Sequence, residues 1–400
     1  NLLVSGVTRP LLHALSSCRI AWSLDGTRLS VRSPGRLGWE PPAHPLYCGH
    51  SATSLRLLAG ALAAAGQPAI LDGSAGLRRR PMGRLIEPLR QMGVLIHGTA
   101  DDRAPLTLQA RLDGEPLLHP TITLPVASAQ VKSALLLAAL ASDGPVELRE
   151  PVLSRDHTER LYRWLGLDLR TTVAADGAAS HRFTPPRRPI SAFTLTVPGD
   201  FSSAAFVIVA ALIVPGSQVT LRNVGLNPGR TGLLDALREM GAAIRVTPLR
   251  ESGGEPAGDL DVRHSRLRAI RVSGERVVRM IDEFPIFAVA AACAAGRTEV
   301  ADAGELRHKE SDRIDAISAE LSRIGAAIRP TVDGFTIDSG QPLDGGAAEA
   351  RGDHRLAMSL AVAGLASRRP VEVEGAELTD ESFPAFWRLL EGLGAGVEPA

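Results

Sequence analysis

The sequence predicts an α/β protein of two domains, each built from three similar units around buried central helices. Three observations predict it. The 400 residues exceed one ordinary domain and suit two of about 200 each. A phrase of amphipathic helix, glycine and strand recurs at intervals of 69 to 84 residues. A second phrase alternates with it, in which a polar cluster opens a helix of small apolar residues that leads to a β-branched strand. Six units divide as three plus three, with the boundary near Val197, before "PGDFSSAAF". This gives domains of residues 1–197 and 198–400.

Taken in chain order, the first phrase begins with a weak copy, "LLHALSSCRIAWS" around Cys18. It continues as "LIEPLRQMGVLI" (Gly93), "RLYRWLGLDL" (Gly166), "LLDALREMGAAIRV" (Gly241), "ISAELSRIGAAIRP" (Gly325) and "FWRLLEGLGAGVE" (Gly394). Glycine at that point fits a left-handed helix cap, which it adopts without a side-chain penalty. The second phrase reads "HSATSLRLLAGALAAAGQPAIL", "SAQVKSALLLAALASDGPVELR", "DFSSAAFVIVAALIVPGSQVTLR", "DEFPIFAVAAACAAGRTEVAD" and "GDHRLAMSLAVAGLASRRPVEVE". Helices apolar nearly all round are buried, so the amphipathic helices belong outside them. Long buried helices exclude a propeller. His50 to Gly93 spans 43 residues, whereas 18 residues lead to the equivalent point of the first unit. The first unit is therefore expected to be incomplete, without its polar cluster. The start at Asn1 rather than Met suits a fragment or a processed chain.

Composition narrows the function. Hydrophobic residues make up 44% and charged residues 22%, and 44 basic residues balance 44 acidic ones. This gives no electrostatic case for nucleic acid or an anionic membrane. Aromatics at 4% argue against base stacking. Cys18, Cys48 and Cys293 lie too far apart for a zinc or disulfide pattern, so a reducing cytoplasm is expected. The longest apolar runs, such as Ser133–Ala141, are too short for a membrane span, and no targeting peptide is visible.

The polar clusters fall where helices begin, and helix N-termini attract anions. Beside them stand Arg56, Arg80, Arg155, Lys309, Arg313 and Arg355. Arginine pairs bidentately with carboxylate or phosphate, so the set suits a small substrate with several anionic groups. Asp282 in "IDEFP" and Glu310 in "KESDR" are candidates for proton transfer. Plainer readings stand beside these. Arg78 to Arg80 also suit a solvated loop, "HKESDR" a salt-bridged helix face, "SRDHTE" a capping box, Asp282 an N-cap and His354 a structural histidine. "ELRHKESDRI" reads as a helix start that places Lys309, Glu310 and Arg313 within about one turn.

Seven stretches in order resemble the 3-phosphoshikimate 1-carboxyvinyltransferase (5-enolpyruvylshikimate-3-phosphate synthase) family: "LIEPLRQMG", "PVASAQVKSALLLAAL", "EPVLSRDHTERL", "VPGDFSSAAF", "IDEFPIFAVAAA", "ELRHKESDRI" and "GDHRLAMSLAVAGL". The resemblance runs over essentially the whole chain. It implies two domains, each a pseudo-threefold set of βαβαββ units, with the active site between them. The implied reaction transfers the enolpyruvyl group of phosphoenolpyruvate to shikimate 3-phosphate and releases phosphate, in the shikimate pathway to aromatic amino acids. It implies a monomer with two small-molecule substrates and no metal or organic cofactor. Carried over by motif, Ser128, Ala129, Gln130, Ser154, Arg155, Asp282 and Lys309 bind shikimate 3-phosphate. Ala52, Arg80, Gln130, Arg313 and Arg355 bind phosphoenolpyruvate, and Asp282 and Glu310 move protons.

Departures from the family pattern are plain. The Lys-Ser-x-Ser-x-Arg motif that opens the family's first unit is absent. His50 stands where Asn is usual, and Glu381 where some members have Lys. Ala52 stands where glyphosate-sensitive members carry Gly, which implies reduced glyphosate sensitivity. Two other readings remain: a non-catalytic ligand-binding relative, and UDP-N-acetylglucosamine enolpyruvyl transferase. The latter typically carries a loop Cys, and "GSAGLRRRPMG" has none.

Overall fold

The computed structural model describes residues 1–112, 115–339 and 342–398. The chain forms two compact units, Asn1–Val197 and Pro198–Ala400, each with its own hydrophobic core.

One sheet pattern repeats within the units. In the first unit, Leu46–Tyr47 pairs in parallel with Ala69–Asp72, which pairs antiparallel with Leu106–Leu108, which in turn pairs with Ile96–His97. Thr121–Thr123, Val146–Glu150, Ala179–Thr184 and Asp168–Val173 repeat that order and those directions. In the second unit, Arg271–Val272, Gly296–Val300, Phe335–Ser339 and Ala327–Pro330 do the same. Gln218–Gly225, Ala257–Arg263 and Ala243–Pro248 keep three of the four strands, and a parallel bridge from Gly199 to Val224 marks the fourth. The remaining sheets are partial versions. The Ala21–Asp25 and Arg28–Arg32 hairpin corresponds to the last two strands of the pattern. Gly346–Glu349 and Val371–Glu374 correspond to the first two.

Helices apolar all round form the centres. Ala52–Ala65 packs against Ala129–Ala138 in the first unit. Gly60 makes that approach feasible, because a Cβ there would lie 2.1 Å from the Ala134 carbonyl oxygen. In the second unit, Phe201–Ile213, Phe284–Ala292 and His354–Gly364 pack together, and every residue of Phe284–Ala292 is buried.

The outer helices share one ending. At Gly93, the N–H bonds to Arg90 O at 2.9 Å, and the Val94 N–H bonds to Leu89 O at 3.0 Å. This is the Schellman pair of capping bonds. It recurs at Gly166, Gly241, Gly325 and Gly394, and φ at these five glycines runs from 77° to 99°. The weak copy closes the same way one residue beyond Cys18: Arg19 holds φ 62° and donates to Ser16 O, and Ile20 donates to Leu15 O.

The polar clusters do open the central helices. Four of them use a side chain on their own helix: Ser51, Ser128, Asp200 and Asp353 accept from the first free N–H groups. Two expectations need correction. Asp282 is not an N-cap; Glu283 holds that position and makes no capping bond with its side chain. Lys309 and Glu310 do not share a turn with Arg313, because a 3₁₀ helix ends at His308 and the α-helix starts only at Arg313. Asp312 is the reason: its carboxylate caps the Asp315 N–H and fixes the helix start after itself.

Candidate active site

In the first unit, the starts of the two central helices are tied together. Arg56, buried in the first turns of Ala52–Ala65, donates to Gln130 Oε1 at 2.5 Å. Gln130 Nε2 donates to Thr53 Oγ1 at 2.7 Å. Gln130 therefore bridges a guanidinium and a hydroxyl, with half-buried Ser128 and Ala129 beside it. Arg56 also reaches Pro81 O at 3.4 Å, on the loop that carries half-buried Arg80. Ala52 is 2% exposed, so its methyl is enclosed. His50 Nδ1 lies 3.1 Å from Ser74 Oγ. Arg78 is bound by Asp72, Nε to Oδ1 at 2.8 Å, and that hydrogen bond holds the Asp72 carboxyl below its usual range.

Ser154 and Arg155 lie on the loop before His157–Trp164. Arg155 is half-buried, whereas Ser154 is buried and its hydroxyl donates to Glu150 Oε2 at 2.6 Å. Asp156 stands at the N-cap but makes no capping bond; it pairs with Arg160 at 2.8 Å instead.

In the second unit, three loops deliver acids to one buried cation. Arg313 is 1% exposed. Its Nε donates to Asp353 Oδ2 at 2.7 Å, Nη2 lies 2.7 Å from Glu310 Oε2, and Nη1 lies 3.5 Å from Asp282 Oδ1. Burial alone would lower the Arg313 pKa; the charges of Asp353, Glu310 and Asp282 outweigh it and raise it. Burial would likewise raise Asp353, but Arg313 holds it low. Asp353 also accepts from the Arg355 N–H at 2.9 Å, so one carboxylate fixes both Arg313 and the helix start that carries Arg355. Arg355 Nη1 reaches the Asp282 carbonyl at 3.4 Å. His354 Nδ1 lies 3.5 Å from Glu381 Oε2.

The structure thus gathers Asp282, Glu310, Arg313 and Arg355, with half-buried Lys309 next in chain to Glu310. Of the three acids around this guanidinium, Asp353 is fully enclosed, whereas Glu310 and Asp282 keep part of their surface exposed. The pairing of Asp353 with Arg313 was not read from the sequence, nor was the cluster of Lys132, Glu150, Glu159 and His181 behind Ser154. A lysine within the apolar phrase "SAQVKSALLLAAL" was the available signal, since a buried cation demands a partner. Among the described residues, no cluster of His, Cys, Asp and Glu is arranged to hold a metal ion, and no helix is long and apolar enough to cross a membrane.

Comparison with known proteins points to one family. A family model described as EPSP synthase (3-phosphoshikimate 1-carboxyvinyltransferase) matches residues 1–390. A 3-phosphoshikimate 1-carboxyvinyltransferase of Geotalea uraniireducens is 47% identical over 368 residues, 92% of this chain and 83% of that protein. One from Herpetosiphon aurantiacus is 46% identical over 366 residues, 90% of this chain and 82% of that protein. Among solved structures, EPSP synthase of Acinetobacter baumannii superposes with TM-score 0.85 at 37% identity, covering 99% of this chain and 89% of that one. The enolpyruvyl transferase NikO of Streptomyces tendae shares the fold, with TM-score 0.73 at 19% identity over 98% of this chain and 88% of that one.

Proposed function

The chain belongs to the EPSP synthase family, and from that premise we propose that it transfers the enolpyruvyl group of phosphoenolpyruvate to the 5-hydroxyl of shikimate 3-phosphate. The 5-hydroxyl oxygen attacks C2 of phosphoenolpyruvate while Asp282 takes its proton. Glu310 supplies a proton to the methylene carbon, giving a tetrahedral intermediate. Loss of phosphate breaks the C2–O bond, and Glu310 takes the proton back from the methyl group, restoring the double bond. Arg313 and Arg355, with Arg80 of the first unit, pair with the carboxylate and phosphate of phosphoenolpyruvate. Ser128, Ala129, Gln130, Ser154, Arg155 and Lys309 hold shikimate 3-phosphate. The reading sets this chemistry in the cytoplasm.

One observation carries the proton assignments: Glu310 and Asp282 lie on the same buried guanidinium, at 2.7 Å and 3.5 Å. That placement keeps both acids beside an obligate cation. The test is phosphate release from phosphoenolpyruvate, with and without shikimate 3-phosphate. Release that depends on shikimate 3-phosphate supports the reading. Its absence, with both ligands bound, favours a binding-only relative.

A further inference from the structure

Behind the loop of Ser154 and Arg155 lies a closed cluster of charges that the reaction above does not use. Lys132, Glu150, Glu159 and His181 have side chains 0% exposed. They come from four elements: Ala129–Ala138, Val146–Glu150, His157–Trp164 and Ala179–Thr184. Lys132 Nζ lies 2.8 Å from Glu150 Oε1 and 2.7 Å from Glu159 Oε1. His181 Nε2 lies 3.0 Å from Glu150 Oε1, and its Nδ1 lies 3.1 Å from Thr171 Oγ1.

The cluster grips Ser154 at three points. The Ser154 hydroxyl donates to Glu150 Oε2 at 2.6 Å, and its N–H donates to Glu150 Oε1 at 3.0 Å. Its carbonyl accepts from Lys132 Nζ at 3.4 Å. Two of these bonds are to the main chain and one is to the hydroxyl, so the path of the loop and the Ser154 side chain are held together. Lys132 stands two residues after Gln130 on the same helix, so one ammonium also ties the Ser128–Gln130 turn to that loop. Stability alone does not call for this arrangement, because well-packed apolar side chains replace buried ion pairs at little or no loss. Orienting a polar loop does call for it.

We propose that Glu150 is a positioning residue for the phosphorylated ring substrate, acting through Ser154 to fix the loop that carries Arg155. The proposal rests on the reading that shikimate 3-phosphate binds at Ser128–Gln130 and Ser154–Arg155. Calorimetric titration with shikimate 3-phosphate tests it on the full chain, since both affinity and stoichiometry are read without turnover. Glu150→Gln should weaken Kd about tenfold at unchanged stoichiometry, the size of a lost charge-assisted bond. Glu150→Asp keeps the charge beside Lys132 but withdraws the oxygens from Ser154. It should weaken binding in the same direction, and it carries the test if Glu150→Gln does not fold. Adding Ser154→Ala to Glu150→Gln should weaken binding by less than the product of the two single effects. A lowered stoichiometry at unchanged Kd would make the cluster merely structural and overturn the proposal. Fully multiplicative effects would also overturn it. A wild-type chain that does not bind shikimate 3-phosphate would instead remove the substrate reading, and this proposal with it.

Discussion

Lys132 in the first unit and Arg313 in the second are both buried cations ringed by carboxylates, yet their rings differ. Both acids of Lys132, Glu150 and Glu159, are 0% exposed. Around Arg313, Asp353 is 0% exposed, whereas Glu310 and Asp282 remain 24% and 18% exposed. A closed ring can only hold other groups in place. An open ring keeps one carboxylate as anchor and leaves two within reach of water and ligand. Local charge density alone does not separate the two cases; the exposure of the partners does.

Breaking each ring should show the difference. Lys132→Met leaves Glu150 and Glu159 buried without their cation, which should cost about 3–5 kcal/mol of stability. A matching fall in the urea midpoint checks it, and loss of less than 1 kcal/mol would contradict the closed-ring account. Glu310→Gln, in the open ring, should lower kcat about 100-fold or more while its urea midpoint stays near that of the wild type. A large stability loss there would erase the distinction.

Acid should act on the closed ring through Glu150. Burial would raise the Glu150 pKa, but His181, Lys132 and Ser154 hold it down at about 2, against an ordinary 4.5. A depressed carboxylate pKa contributes stability that is complete above the ordinary value. That contribution is lost as pH falls from 4.5 towards 2. Urea midpoints measured across that window should fall more steeply for the wild type than for Glu150→Gln. Parallel curves would contradict the assignment.

The smallest effect concerns the repeated helix ending. Five copies place Gly at the left-handed position and one places Arg19, at φ 62°. Arg19→Gly should stabilise the first unit by about 0.5–1 kcal/mol. The Arg19–Glu40 pair it removes is exposed and contributes little. An unchanged or lower melting temperature would count against it.

The repeat was legible because glycine caps and apolar helices are local signals. The five capping glycines and all five apolar central helices could be read directly from residue types. Partner choice was not legible. Glu150, Glu159 and His181 lie 18, 27 and 49 residues after Lys132, on separate elements. No spacing rule joins them before the fold does. Asp353 read as part of an anion-attracting cluster, but its carboxylate caps its own helix and grips Arg313. Asp312 carried an overlooked local signal, since an aspartate before a helical run marks the helix start. It moves Lys309 and Glu310 onto a loop, where Glu310 bends back to Arg313.

The proton assigned to Glu310 can be followed by isotope. The chain is incubated in D2O with phosphoenolpyruvate and shikimate 3-phosphate, and deuterium at the methylene carbon is read by NMR. The account predicts incorporation with the wild type and its loss with Glu310→Gln, while shikimate 3-phosphate binding persists. Incorporation at the wild-type rate by Glu310→Gln would contradict the account and move the proton to another group.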